Sequence, residues 1–280
     1  MLFRRRSMLL LASGPTAVFA FQAASSAPAA VPAVRWRPKA PFNGSPILFE
    51  SREPRPAATW LGKKLEFRKD GELFTALAGV DLATRPGRHP LKWADDQSIL
   101  IPVSTRLYAA SRITVAPQFV QPPPEVAKRI AAEQQIKKKA FSSSPMAERF
   151  WQGRFQAPTL AGQTSPFGTR RVYNGKTNSI HQGLDFGAPL GTEILASNAG
   201  RAVIAREMYF EGGFVVLDHG EGIFTLYMHL SAFLVKEGDR VEKGQPLAKS
   251  GSSGRVTGPH LHFAMQWQGS YLEPGTLLQL

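Results

Sequence analysis

The chain has 280 residues, 43% of them apolar and 20% charged, a composition that excludes a wholly disordered or collagen-like protein and leaves room for two domains with real cores. Cysteine is absent, which excludes disulfides, thiolate nucleophiles and Cys-based zinc sites, so any metal must sit on His, Asp or Glu. Lys and Arg number 34 against 21 for Asp and Glu, a formal charge of +13 that favours anionic partners such as nucleic acid, a membrane surface or an acidic wall polymer.

Residues 1–20 place Arg4, Arg5 and Arg6 before an apolar stretch and end on Val18-Phe19-Ala20, the layout of a secretory signal peptide. The stretch is interrupted by Ser13, Gly14 and Pro15 and falls short of the ~20 residues a spanning helix needs, so no stable membrane span is expected after its removal. A secreted or periplasmic location follows, and a basic exported chain suits a cell-envelope polymer better than DNA.

Residues 21–46 are rich in Ala, Ser and Pro and lack the apolar density to offset ordering entropy, which predicts a linker. Over 47–115 short alternating runs recur between turn signals, among them Leu65 to Arg68, the turn Asp70-Gly71, Leu73 to Leu77, Ser98 to Val103, and Arg112 to Val115 as the closing strand. Such spacing predicts a small β-sandwich of immunoglobulin type. His89, within Pro86-Gly87-Arg88-His89-Pro90, is expected in a surface turn. Residues 116–149 hold Pro122-Pro123-Pro124 and then helix formers from Glu125 to Phe141 without a continuous apolar stripe, predicting a Pro-rich linker and helix. Lys137-Lys138-Lys139 reads as a solvated face, and no nucleic-acid partner is expected from it.

From residue 150 glycine becomes frequent and five of the six histidines appear. In His181-Gln182-Gly183-Leu184-Asp185 a strand would put His181, Gly183 and Asp185 on one face, since side chains repeat every two residues, with Gly183 leaving room for an ion. In Gly258-Pro259-His260-Leu261-His262-Phe263 the alternation sets both imidazoles on one face and Leu261 and Phe263 on the other. Thr225-Leu226-Tyr227-Met228-His229-Leu230 likewise predicts Tyr227 and His229 opposite an apolar face of Leu226, Met228 and Leu230. Two His and one Asp suffice for a catalytic zinc, which takes three protein ligands and keeps a fourth position open. His219, in a Gly-rich stretch, is expected to be a turn residue rather than a ligand.

In this order, His181-x-x-x-Asp185, Tyr227-Met228-His229-Leu230 and Gly258-Pro259-His260-Leu261-His262-Phe263 resemble the lysostaphin/LytM-type zinc endopeptidases of bacterial peptidoglycan, peptidase family M23. The lead-in Phe167-Gly168-Thr169-Arg170-Arg171 and the stretch from Val235 to Gln245 match too, and the likeness covers residues 155–277. The resemblance implies zinc (Zn2+) on His181, Asp185 and His262, with His260 as general base and His229 stabilising the oxyanion or sharing the proton work. It implies a mostly β chain: a small β-sandwich, a linker helix, and at 150–280 an antiparallel β-sheet peptidase domain related to barrel-sandwich folds. The substrate implied is the peptide of peptidoglycan, the protein acting as a monomer. Resemblance to latent family members implies that the N-terminal domain covers the groove and supplies a ligand to zinc's open position, a carboxylate such as Glu72. The alternative is a non-catalytic wall-binding or hydrolase-activating protein, and a biotinyl or lipoyl carrier is disfavoured because Arg240-Val241-Glu242-Lys243 is not the usual arrangement around a modified lysine.

Overall fold

Apolar residues at every second position, broken by Gly- and Asp-containing turns, favour short antiparallel strands, and the N-terminal part folds accordingly. The computed structural model describes residues 33–95, 97–146, 148–175 and 177–280, so the expected signal segment and residues 21–32 of the expected linker lie outside the described residues. Strands β1 (Arg35–Arg37), β2 (Pro46–Ser51), β3 (Ala58–Trp60), β4 (Lys63–Leu65), β5 (Arg68–Asp70), β6 (Leu73–Gly79), β7 (Gly87–Trp93) and β8 (Ser98–Val103) make two four-stranded sheets. Their orders are β1-β2-β6-β5 and β4-β3-β7-β8. Ile47 and Phe49 from one sheet meet Trp60, Leu91 and Ile101 from the other in a single core. The Trp60 indole donates to the Gly79 carbonyl at 2.9 Å, which satisfies its one polar atom in that core.

Three expectations are corrected here. The folded region begins upstream of residue 47, because Trp36 and Val34 supply apolar side chains that pack on the core and β1 pairs with β2. His89 lies within β7 opposite Ile101, its ring edge-on to Trp60, and is not in a turn. The run at Arg112 does not close the sandwich: β9 (Ala110–Ile113) alternates exposed and half-buried residues, and its backbone pairs in parallel with β11 (Arg170–Tyr173).

Helix α1 (Ala127–Ser142) forms where expected, yet it packs rather than merely linking. Ile136, Ala140 and Phe141 close a core with Ile204, Met208 and Phe214 of the C-terminal sheet, and Phe141 meets Phe224 edge-on at 5.1 Å. Lys138 and Lys139 are exposed, whereas Lys137 is partly buried and paired with Glu211, so it does not belong to a purely solvated face.

The C-terminal part is a twisted antiparallel sheet. Its strands are β10 (Gln163–Ser165), β13 (Leu184–Phe186), β14 (Glu193–Leu195), β15 (Gly200–Met208), β16 (Gly212–Asp218), β17 (Ile223–Phe233), β18 (Arg240–Val241), β19 (Pro246–Ser250), β20 (Leu261–Trp267) and β21 (Ser270–Leu272). The main order is β10-β13-β20-β17-β16-β15-β18, with β14 on β19, β19 on β17, and β21 on β20. A small sheet of β12 (Thr177–Ile180), β11 and β9 stands beside it, and α2 (Pro274–Leu277) ends the chain. Ile223, Met265 and Trp267 of the large sheet join the core of the sandwich. At that junction the buried Glu221 carboxylate accepts from Arg68 at 2.9 Å and Arg149 at 3.0 Å, and Arg149 also holds the Thr75 carbonyl. These donors offset part of the cost of burying the charge, although burial still leaves the Glu221 pKa above the ordinary carboxylate value.

Candidate metal centre

The site lies where β13 and β20 run side by side. Asp185 and His262 are directly opposed across that pair, so their side chains leave the same face only a few ångströms apart. His181 is not on a common strand with Asp185, as the spacing suggested: β12 ends at Ile180 and β13 begins at Leu184, and the intervening turn swings the imidazole back over the sheet. Gly183 in that turn is required by space. A Cβ there would stand 2.4 Å from His262 Nε2 and 2.6 Å from the Phe263 carbonyl oxygen.

Three buried donor atoms converge. His181 Nε2 lies 2.9 Å from Asp185 Oδ1 and 3.0 Å from His262 Nδ1, and His262 Nδ1 lies 2.8 Å from the same Oδ1. His181 Nδ1 sits 2.7 Å from the Pro166 carbonyl, which can only accept, so in the neutral ring Nε2 carries a lone pair. A lone pair aimed at a carboxylate oxygen at that distance requires a cation or a proton between them. Burial lowers the His262 pKa and keeps its ring neutral, as metal ligation requires. For Asp185 burial opposes ionisation, but its close pairing with His181 and His262 outweighs it and holds the carboxyl well below the usual range. Two imidazoles and one carboxylate, buried and free of thiolate, fit a zinc ion. The second carboxylate oxygen is held by Arg171, whose Nη2 reaches Oδ2 at 2.7 Å and Ser165 Oγ at 2.8 Å.

Two further imidazoles stand beside this triad. His229 and His260 rings are 4.8 Å apart, His229 is 6.0 Å from His262, and His260 Nε2 lies 3.9 Å from Asp185 Oδ1. Each directs Nδ1 at a carbonyl, His229 at Ser253 O (2.9 Å) and His260 at Gly258 O (2.8 Å), which leaves Nε2 of the neutral ring as a proton acceptor. Burial, reinforced by the neighbouring His262 and His260, pushes the His229 pKa well down and keeps it neutral.

A β-bulge aims His229 into the site. Gly213 pairs with Leu230 and Val215 with Tyr227, so one residue of β16 faces two of β17, and His229 takes φ +66°. The bulge also overturns the expected alternation, because Tyr227 shares a core with Leu230 while Leu226 lies in the core on the other side. His219 stands in the connection between β16 and β17 and is not among the clustered ligand atoms. It is fully buried, donating from Nδ1 to the Ala199 carbonyl at 2.7 Å and accepting at Nε2 from Thr225 Oγ1 at 2.8 Å. Glu72 is exposed in the turn between β5 and β6 and is not among the residues lining the groove over the triad.

All five residues named from the sequence, His181, Asp185, His229, His260 and His262, therefore meet in one place. Residues 179–274, which contain all five, match the sequence profile of peptidase family M23. This region is an M23 peptidase domain. The chain is 42% identical over 107 residues to the peptidoglycan DD-endopeptidase ShyA of Vibrio cholerae, covering 38% of this chain and 25% of that one. It is 40% identical over 111 residues to the DD-carboxypeptidase/endopeptidase Mpg of Neisseria meningitidis, covering 40% of this chain and 26% of the other. The matches thus span about a quarter of the length of these relatives. A crystal structure of a Pseudomonas aeruginosa protein assigned to peptidase M23 superposes with a TM-score of 0.65 at 28% identity, over 85% of this chain and 95% of that one. The likeness to that structure therefore extends beyond the M23 domain into the sandwich. Arg171 was not singled out by the sequence as a site residue; it stood in the family-like lead-in, but nothing in its spacing linked it to Asp185.

Proposed function

We propose that this chain is an exported zinc metalloendopeptidase that hydrolyses the peptide cross-links of bacterial peptidoglycan. The observation that carries the reading is the convergence of His181 Nε2, Asp185 Oδ1 and His262 Nδ1 beside two imidazoles whose Nε2 atoms are proton acceptors. Zinc on those three donors would supply the Lewis acidity that polarises an amide carbonyl and acidifies water. The remaining work falls to the protein. His260 Nε2 takes the proton of the attacking water and returns it to the departing amine nitrogen, while His229, anchored through Ser253 with its Nε2 also an acceptor, shares that proton work. Arg171 keeps the carboxylate in the orientation that presents Oδ1 to the two rings. Relatives named as peptidoglycan endopeptidases support the substrate class, and the arginine-led apolar segment at 1–20 supports export.

The test is to incubate the zinc-loaded full chain with purified sacculi and analyse the released peptides. Cross-linked peptides should fall and uncross-linked ones rise, the activity should vanish with a chelator and return with zinc, and His181→Ala should abolish it. Hydrolysis that survives both chelation and His181→Ala would overturn the reading.

A further inference from the structure

A groove of about 210 Å³ opens over the triad, and His181, His229, His262, Tyr173, Phe210 and Arg255 are among its walls. Its cations are not equivalent. Arg171 is held by Asp185 and Ser165, and Lys137 is paired with Glu211. Arg255 forms no ion pair and no side-chain hydrogen bond with the described residues. What fixes it is aromatic: its guanidinium carbon lies over the Tyr173 ring at 4.7 Å and the Phe210 ring at 5.2 Å. Its backbone N–H donates to the Phe210 carbonyl at 2.9 Å, so chain and side chain are both fastened to the same wall.

A guanidinium over a ring is attracted by its face, yet the N–H donors lie in the guanidinium plane and are not consumed by that contact. The planar fork matches a carboxylate, to which it can donate two parallel hydrogen bonds. Because the side chain is already held, little conformational freedom is lost when such a partner arrives. A positive group of this kind, unneutralised by the protein and facing a groove that leads to the reacting centre, selects for negative charge on whatever lies in the groove.

We propose that Arg255 is a specificity-determining residue that pairs with a free carboxylate of the bound peptide, so that the groove prefers an acidic peptide over its carboxamide. This rests on the reading of the groove as a peptidase site. The test uses the zinc-loaded full chain with cross-linked muropeptide dimers isolated from sacculi, and with the same dimers after their carboxylates have been converted to carboxamides. The wild type should favour the acid form in kcat/KM by about 10- to 100-fold, the range expected for one charge-assisted hydrogen-bonded pair, mainly through KM. In R255Q that ratio should collapse toward unity, and R255K, which keeps the charge without the fork, should restore part of it. A merely structural Arg255 would depress kcat on both dimers in parallel and leave the ratio intact, and that result overturns the proposal. So does a wild type that cuts both dimers equally, which leaves the peptidase reading standing. Failure to cut either dimer defeats the peptidase reading itself and this inference with it.

Discussion

The guanidinium of Arg171 grips one oxygen of Asp185, Oδ2 at 2.7 Å, and so turns the other, Oδ1, to face His181 and His262 at 2.9 and 2.8 Å. A carboxylate held by one oxygen offers the other with a fixed direction. Arg171→Gln should weaken zinc affinity by about 10- to 100-fold, the usual effect of losing a partner that orients a ligand. Competition against a chromogenic chelator measures this, and unchanged affinity would show that Arg171 does not position the donor.

Gly183→Ala should damage the centre from within. The added methyl would meet His262 Nε2 at 2.4 Å and the Phe263 carbonyl oxygen at 2.6 Å, and the backbone oxygen cannot swing away. A loss of about 1–3 kcal/mol in stability is expected from such overpacking, together with weaker zinc binding as the His262 ring is displaced. Urea denaturation and the same chelator competition check both effects.

His260→Ala and His229→Ala should each lower kcat by about 100- to 10,000-fold, the range for removal of a group that moves a proton in the transition state. Neither ring is needed to hold the ion, so elemental analysis should find zinc retained in both variants. Loss of zinc together with activity would place that histidine among the ligands instead.

Acid should weaken the fold through His219. Burial lowers its pKa to about 4, and its bonds suit the neutral ring: Thr225 donates to Nε2, and Tyr227 lies 3.0 Å from Thr225 Oγ1. The unfolded ring takes up a proton near 6.5, so between about 6.5 and 4 the unfolded chain binds more protons than the folded one, and stability falls as the pH falls. The full contribution, present above 6.5, is on the order of 3 kcal/mol. Denaturation midpoints of wild type and His219→Asn across this window give the measurement; the variant should lose this part of the acid dependence, and parallel pH profiles would contradict the assignment.

What was legible in the sequence depended on how local the cause was. The strands of the sandwich and the Leu261/His262 alternation follow from side chains repeating every two residues, and β20 places Leu261 and Phe263 in the core with His262 on the site. His181 and Asp185 were placed on one strand by the same rule, but the chain turns between them, and their meeting depends on tertiary pairing of β13 with β20. The bulge at His229 carries no glycine to announce its positive φ, so simple alternation puts Leu230 on the face of Leu226, whereas it shares a core with Tyr227. β9 finds a parallel partner in β11 far along the chain, and Arg171 finds Asp185 across a turn; neither contact leaves a local pattern.

The most direct test of the metal centre is calorimetric titration of zinc into the chelator-stripped full chain. One tightly bound equivalent is expected for the wild type and none for the variant carrying His181→Ala, Asp185→Ala and His262→Ala together. Absence of a tight site in the wild type, or an unchanged tight site in the triple variant, would contradict the assignment of these three residues as the ligands.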